Sequence, residues 1–409
     1  MRPAIAPFAA SLLFLLCAGV ARAQGALLVV DAAGGPGSDF TTIVDALAAA
    51  SDGDTLLVRS GDYLPFIIQD RTIIIAAAPG ASVNVQSSLG SGAPAGIIVR
   101  SIGASQAVVL EGLTLNGIEG FGTQGSAGLS VEASQGQVWV QDCQIVGGSG
   151  SLFPNPAIAV ASCDQVLFAH CTATGTSELT DVLQPVAPGV HSISSRVFAW
   201  DCHFTGGLGG AGVLVDGREF FAEDSVLTGG QGLGFPFSPC DVSVDGGPGL
   251  ALVQKAKATL VGTQTVGGAG DPAAPGCSNP GPSVANFFGT LVQLPGPTMD
   301  FSVTSPVADG QDAQIDFAAQ PGDVPVLLMG LHLGPATVFP KFSGALVFGN
   351  SVLFVLSPLP ASGAATVSFG FGDALPPGTG STIFLQGAVL KATGGALLGD
   401  AAVLNTFDG

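Results

Sequence analysis

Six stretches of the chain repeat one pattern of apolar and polar positions: VVLEGLTLNG (108–117), VWVQDCQIVGG (138–148), VLFAHCTATG (166–175), VFAWDCHFTGG (197–207), FFAEDSVLTGG (220–230) and ATLVGTQTVGG (258–268). In each, a short alternating run meets a polar or small pair, a second short run follows, and glycine closes the unit. Taking Leu113, Cys143, Cys171, Cys202, Ser225 and Thr263 as equivalent places successive units 23 to 38 residues apart. Alternation with period two predicts strands rather than helices. A strand unit of that length cannot bury its apolar face alone and must stack on its neighbours.

A second alternating run precedes each of these: AGIIVR (95–100), AGLSVE (127–132), PAIAVA (156–161), PGVHSI (188–193), AGVLVD (211–216) and PGLALV (248–253). Ile97, Val99, Leu129, Val131, Ile158, Val160, Val190, Val213, Val215, Leu250 and Leu252 are predicted to point inward, with their neighbours outward. The glycine pairs at the corners suit positive φ and close stacking of backbones. One helix is predicted, over 39–50, with Asp39 as its cap, Phe40, Ile43 and Leu47 on one face, and Asp52-Gly53-Asp54 ending it. Placed before the first coil, it would cover an open strand edge. Thr55 to Arg59 and Ile73 to Ala76 read as the next strands.

The segment DFTTIVDALAAASDGDTLLVRSGDY (39–63) resembles the opening of right-handed parallel β-helix proteins of the pectin-lyase-like class, with Ser60 where a proline is usual. Together with the ladder, the resemblance extends over about 25–290. It implies a right-handed parallel β-helix over 24–293, capped by the N-terminal helix. The class holds pectate lyases, polygalacturonases and pectin methylesterases, and also surface and adhesin-like proteins without known activity.

After Gly281 the ladder stops. Leu294-Pro-Gly-Pro297 reads as a linker, and 298–409 carries short alternating runs separated by Gly- and Pro-rich turns, the pattern of an antiparallel β-sandwich. Its ending, STIFLQGAVLKATGG to AAVLNTF, resembles C-terminal β modules of secreted bacterial proteins. The expected fold class is therefore all-β, in two domains.

Residues 1–23 have the form of a secretory signal: Arg2, an apolar stretch from Ile5 to Val20, and Ala21-Arg22-Ala23 as cleavage site. Export implies an extracellular, cell-surface or periplasmic location, and no later stretch is continuously apolar enough to span a membrane. The chain has 11 basic and 30 acidic residues, and loss of Arg2 and Arg22 with the leader leaves 9 against 30. Without a Lys/Arg cluster, nucleic acid is disfavoured as a partner. Polyanionic glycans are disfavoured too, unless a divalent ion bridges.

Cys17 leaves with the signal, so six cysteines remain. Cys240 and Cys277 follow the glycine corners of adjacent coils at nearly equal distances, and a 240–277 disulfide would fasten two long loops. Cys143, Cys171 and Cys202 occupy one ladder position. They read either as a column of buried thiols or as a 143–171 or 171–202 bridge. The absence of any C-x-x-C argues against zinc.

Three outward sets could carry chemistry. Asp142, His170, Asp201 and Asp224 form a column before the cysteines, where a tight turn is the plainer reading of an apparent acid–base set. On the other strand, His191 and Asp216 sit one coil apart, with Arg218 just beyond. These three are the catalytic candidates if substrate lies along that groove. The polygalacturonase, pectin methylesterase and pectate lyase signatures are missing, so no catalytic residue carries over from the resemblance. Trp139, Phe198, Trp200 and Phe221 form an aromatic column, either a platform for sugar rings or the seat of the C-terminal domain. Calcium is the one cofactor left open. Asp309, Asp312 and Asp316 cluster but lack EF-hand spacing, and read as a turn and a strand. The preferred role is non-catalytic, binding polysaccharide or serving as an extracellular scaffold; the alternative is a polysaccharide lyase or hydrolase.

Overall fold

The computed structural model describes residues 25–408 apart from 87–95, 118–125, 149–154, 177–186, 235–242, 273–276, 349–350, 371–374 and single positions at 295, 297, 332, 340 and 341. The predicted signal segment and Cys240 lie outside the described residues. No described helix is long and apolar enough to cross a membrane.

The chain winds into a right-handed parallel β-helix with three sheets running along its axis. The first holds Ile67–Gln69, Ile97–Arg100, Leu129–Glu132, Ile158–Ala161, residues 190–193 and 213–216, Leu250–Val253 and Val284–Asn286. The second runs from Gly25–Val30 through Thr55–Val58, Ile73–Ala77, Ala107–Glu111, Gln137–Gln141 and Gln165–Ala169 to Lys257–Val261 and Thr290–Leu294. Among the described residues the third stacks eight short strands, from Gly61–Tyr63 to Gln264–Val266. Thr114, Gln144, Thr172, His203, Val226 and Gln264 are successive partners in it, which is the register the repeat alignment implies.

The inward residues of all three sheets merge into one core, and every position expected to point inward is buried in it. Cys143, Cys171 and Cys202 face this core as free, buried thiols, as does Cys163, so neither ladder bridge forms. The Cys171 thiol donates to the Val140 carbonyl of the preceding coil at 3.4 Å. Cys277 is not free, but its expected partner Cys240 is not described.

The helix is shorter than predicted, Ile43–Ala49. Its cap is Thr42, whose hydroxyl accepts from the Asp45 N–H at 3.0 Å. Asp39 instead accepts from the Val29 N–H, because Phe40 still bridges to Val30 in extended conformation. Ile43, Ala46 and Leu47 are buried in the core.

The glycine corners work by close approach and not by positive φ: Gly206, Gly207, Gly229, Gly230, Gly267 and Gly268 all lie outside the left-handed region. Gly230 N–H donates to Gly210 O, and Gly247 N–H to Gly230 O, both at 2.8 Å. A Cβ on Gly230 would stand 1.4 Å from the Gly207 carbonyl oxygen. Gly230→Ala is therefore expected to cost more than the ~1–3 kcal/mol of ordinary overpacking, since backbone cannot rotate aside. Thermal unfolding of the purified variant, compared with a surface Gly296→Ala control whose added Cβ would meet nothing closer than 3.7 Å, checks this.

Residues 300–407 form a β-sandwich. One sheet pairs Asp300–Val303, Asp312–Ala318 and Ala364–Gly370 antiparallel. The other pairs Val352–Val355, Val324–Gly330, Thr379–Leu390 and Ala396–Phe407 antiparallel, while its short edge strand Val307–Ala308 runs parallel to 406–407. Phe301, Phe317, Leu327, Leu385 and Leu404 lie in the core between the sheets. Gly25 and Ala26 pair with Gly380 and Thr379, so the first strand of the β-helix also belongs to the edge of the sandwich.

Candidate functional site

The outward face of the second β-helix sheet is covered by the sandwich. Trp139, Phe198, Trp200 and Phe221, at 0–1% exposure, pack with Val326, Val347, Phe384 and Val403 in one cluster. Trp139 and Trp200 stack with ring centroids 6.2 Å apart and 12° between planes. The aromatic column is thus an interdomain seam, and no sugar ring reaches it while the domains are docked. Alternation aims these rings outward, and the outward face is where the sandwich sits.

Polar side chains in the same outward positions join the domains through backbone. Gln141 exchanges two hydrogen bonds with Val403, donating from Nε2 at 3.1 Å and accepting at Oε1 at 2.7 Å, as a neighbouring strand would. Gln165 accepts from the Ala336 N–H and donates to the Gly334 carbonyl. Asn405 donates to the buried carboxyl of Glu111. Sequence reasoning passed over Gln141, Gln165 and Glu111. The signal was present, as polar residues interrupting an apolar outward column.

His191, Asp216 and Arg218 are not gathered into one site. His191 lies level with Leu214, and Asp216 with Ile193, so the two are diagonal neighbours. Burial pulls His191 below the usual histidine range, against the opposing charge of Asp216. Asp216 accepts from Gln254 at 3.4 Å. Arg218 turns away to Asp164 at 2.8 Å and to the Cys163 carbonyl. Asp312 and Asp316 share the exposed side of one strand with three residues between them, four steps or about 13 Å apart at 3.3 Å per residue, so they do not converge on one ion.

Chemistry gathers instead at the rim of the seam. Asp142, His170, Asp201 and Asp224 occupy the turn between the second and third sheets, with φ of 51°, 51°, 46° and 47°. Short polar side chains tolerate this left-handed geometry because they bond locally, and glycine takes the place at Gly112 and Gly262. The column was foreseen as a turn. That the sandwich would roof it was not. Asp300, Ser302, Asp316, Thr366 and Asp400 come down from the sandwich, and with His170, Asp201 and Asp224 they line a half-open cleft of about 500 Å³.

Among the described lining residues His170 is the one basic group. Its Nδ1 is 3.5 Å from Asp142 Oδ1. Burial lowers its pKa, but the bond to Asp142 and the charges of Asp142, Asp400 and Asp201 outweigh that and raise it overall. Thr366 donates to Asp316 across the sandwich strands. Burial first, then the charge of Asp224, pushes Asp400 at the cleft floor well above the usual carboxylate range, and burial followed by the charges of Asp400 and Asp224 does the same to Glu223 behind it. Asp201, Asp300 and Asp316 remain exposed to the cleft. Such a set can accept hydrogen bonds from hydroxyls or hold a cation, and it repels anions.

The whole is a right-handed parallel β-helix with a β-sandwich docked on one face and an acidic cleft between them. No family model and no curated relative matches the chain. Among solved structures it is similar to the full-length tailspike protein 2 of the Escherichia coli O157:H7 bacteriophage CAB120, at 10% identity and a TM-score of 0.32, covering 95% of this chain and 69% of that one. It is also similar to tailspike protein gp49 of the Acinetobacter baumannii bacteriophage Fri1, a capsular polysaccharide depolymerase, at 10% identity and a TM-score of 0.27, covering 82% and 72%. These likenesses supply no residue roles.

Proposed function

We propose that the protein is an exported, non-catalytic β-helix scaffold that binds a neutral glycan in the acidic interdomain cleft. The observation that carries the reading is the cleft itself, whose exposed carboxylates Asp201, Asp300 and Asp316 stand with Ser302 and Thr366 in one half-open space. Carboxylates accept strongly from sugar hydroxyls, and charged acceptors give bonds about twice as strong as neutral ones. The preponderance of acids keeps uronic or sulfated glycans out. Glycoside hydrolysis needs an acid and a second carboxylate facing one scissile bond. Glu223 has 0% exposure and is not part of the cleft lining, and Asp400, which lines it, is only 4% exposed, so neither acid of strongly raised pKa stands free to meet a glycosidic oxygen.

Titration of the mature chain with neutral and acidic oligosaccharides, while new reducing and unsaturated ends are monitored, tests the reading. Neutral glycan is expected to bind without products, and Asp316→Asn to weaken it about tenfold, the loss of one charge-assisted bond. Product formation would replace the reading with that of a polysaccharide-active enzyme. Silence toward every glycan would leave a display scaffold.

A further inference from the structure

We propose that Glu223, Asp224 and Asp400 form a divalent-cation site, with calcium as its ion, that staples the β-helix to the sandwich. Oxygen atoms of the three side chains lie within 4.8 Å of one another. Two oxygens on opposite sides of a calcium ion, each at about 2.4 Å, would be separated by that distance. Glu223 ends the strand Val213–Glu223 and is aimed outward, in register with Trp200 and Val261. Asp224 follows in the left-handed turn. Asp400 comes from Ala396–Phe407, the strand that the sandwich lays along the seam.

The second observation is the lack of partners. Both oxygens of Glu223, Oδ1 of Asp400 and Oδ2 of Asp224 are buried without a hydrogen bond. Glu223 is 0% and Asp400 4% exposed. The indole N–H of Trp200 lies near Glu223 and favours its charge, yet the two make no hydrogen bond of acceptable geometry. None of the ion pairs among the described residues brings Lys or Arg to the cluster. Buried carboxylates are ordinarily paired, protonated or bound to metal. Two buried carboxylates and a half-buried one, converging from two domains with unshared lone pairs and oxygens within 4.8 Å of one another, are what a hard cation with oxygen ligands requires. Nitrogen and sulfur donors, which zinc prefers, are missing from the set. Asp224 and Asp400 also line the cleft, which gives an ion and its remaining waters a way in. The ion's charge would offset the repulsion that otherwise opposes docking of Asp400 on Glu223.

Terbium luminescence tests this on the mature full-length chain after chelation, without glycan, so that this proposal and the glycan reading fail separately. Excitation of tryptophan is expected to give a saturable terbium signal, because Trp200 lies beside the site, and calcium should displace it more readily than magnesium. Asp400→Asn and Glu223→Gln are each expected to weaken calcium binding at least tenfold and to abolish the rise in unfolding temperature that calcium gives the parent. Both substitutions remove a buried charge at nearly constant shape, so the chelated variants should melt no lower than the chelated parent. Absence of saturable binding at millimolar calcium would overturn the proposal and leave protons as what neutralises the cluster. Binding unchanged in both variants would overturn it equally.

Discussion

Trp200→Ala is expected to lower the unfolding free energy by about 3–5 kcal/mol, the cost of emptying a large aromatic site that cannot collapse. Trp200 is fully buried. It stacks on Phe198 at 6.2 Å and 15°, on Trp139 at 6.2 Å and 12°, and meets Phe221 at 5.9 Å. Its neighbours are held in hydrogen-bonded sheets on both sides, the parallel ladder below and the sandwich above, so neither wall moves in to fill the gap. The chain has two tryptophans, and both lie in the seam, so intrinsic fluorescence reports domain docking. In Trp200→Ala the remaining Trp139 emission should move to longer wavelength and the urea midpoint should fall. A loss under about 1 kcal/mol with unmoved emission would mean that the face is loosely covered and that these rings are free for another ligand.

The second large effect is a fall in stability as pH rises from about 4.5 to about 7. Glu111 sits at the seam with 1% exposure. Burial raises its pKa to about 7, with hydrogen bonds from Ser305 and Asn405 opposing and the charge of Asp142 adding to the rise. An acid whose folded pKa lies above its unfolded value of 4.5 keeps its proton in the native state while the unfolded chain has already lost it. The native state therefore binds more protons between those values, and unfolding becomes easier as pH climbs through them. The contribution is full below about 4.5 and gone above about 7, roughly 3 kcal/mol in all. Denaturant titrations across that range in the presence of a chelator measure the slope. Glu111→Gln, which keeps an acceptor for Asn405, should flatten it. An unchanged slope in the variant would place the titrating group elsewhere, with Glu223 and Asp400 next in line.

Much of this was legible before any coordinates. Inward and outward positions followed from alternation, and the equivalence of Leu113, Cys143, Cys171, Cys202, Ser225 and Thr263 is the observed register, because a slip of one residue would turn every apolar side chain to the wrong face. The turn character of Asp142, His170, Asp201 and Asp224 was readable from residue type alone. The helix cap was misplaced from Thr42 to Asp39 because both residue types cap well, and only the pairing of Phe40 with Val30 decides between them. The aromatic column was visible as an outward stripe, with its occupant open between a sugar and the second domain.

What the sequence by itself determined is the periodic part: a stack of strand coils, its core, its turn ladder and a separate run of sandwich strands. Each of these rests on interactions between residues at fixed spacings along the chain, and spacing is what a sequence displays. Only the tertiary structure decided where the sandwich sits, and with it the fate of the aromatic column, the backbone exchange between Gln141 and Val403, and the meeting of Glu223 and Asp224 with Asp400. Those contacts join positions more than 100 residues apart through no repeating offset. They depend on the shapes of two faces that exist only after each domain has folded, so the cleft and its cation site have no signature in the linear pattern.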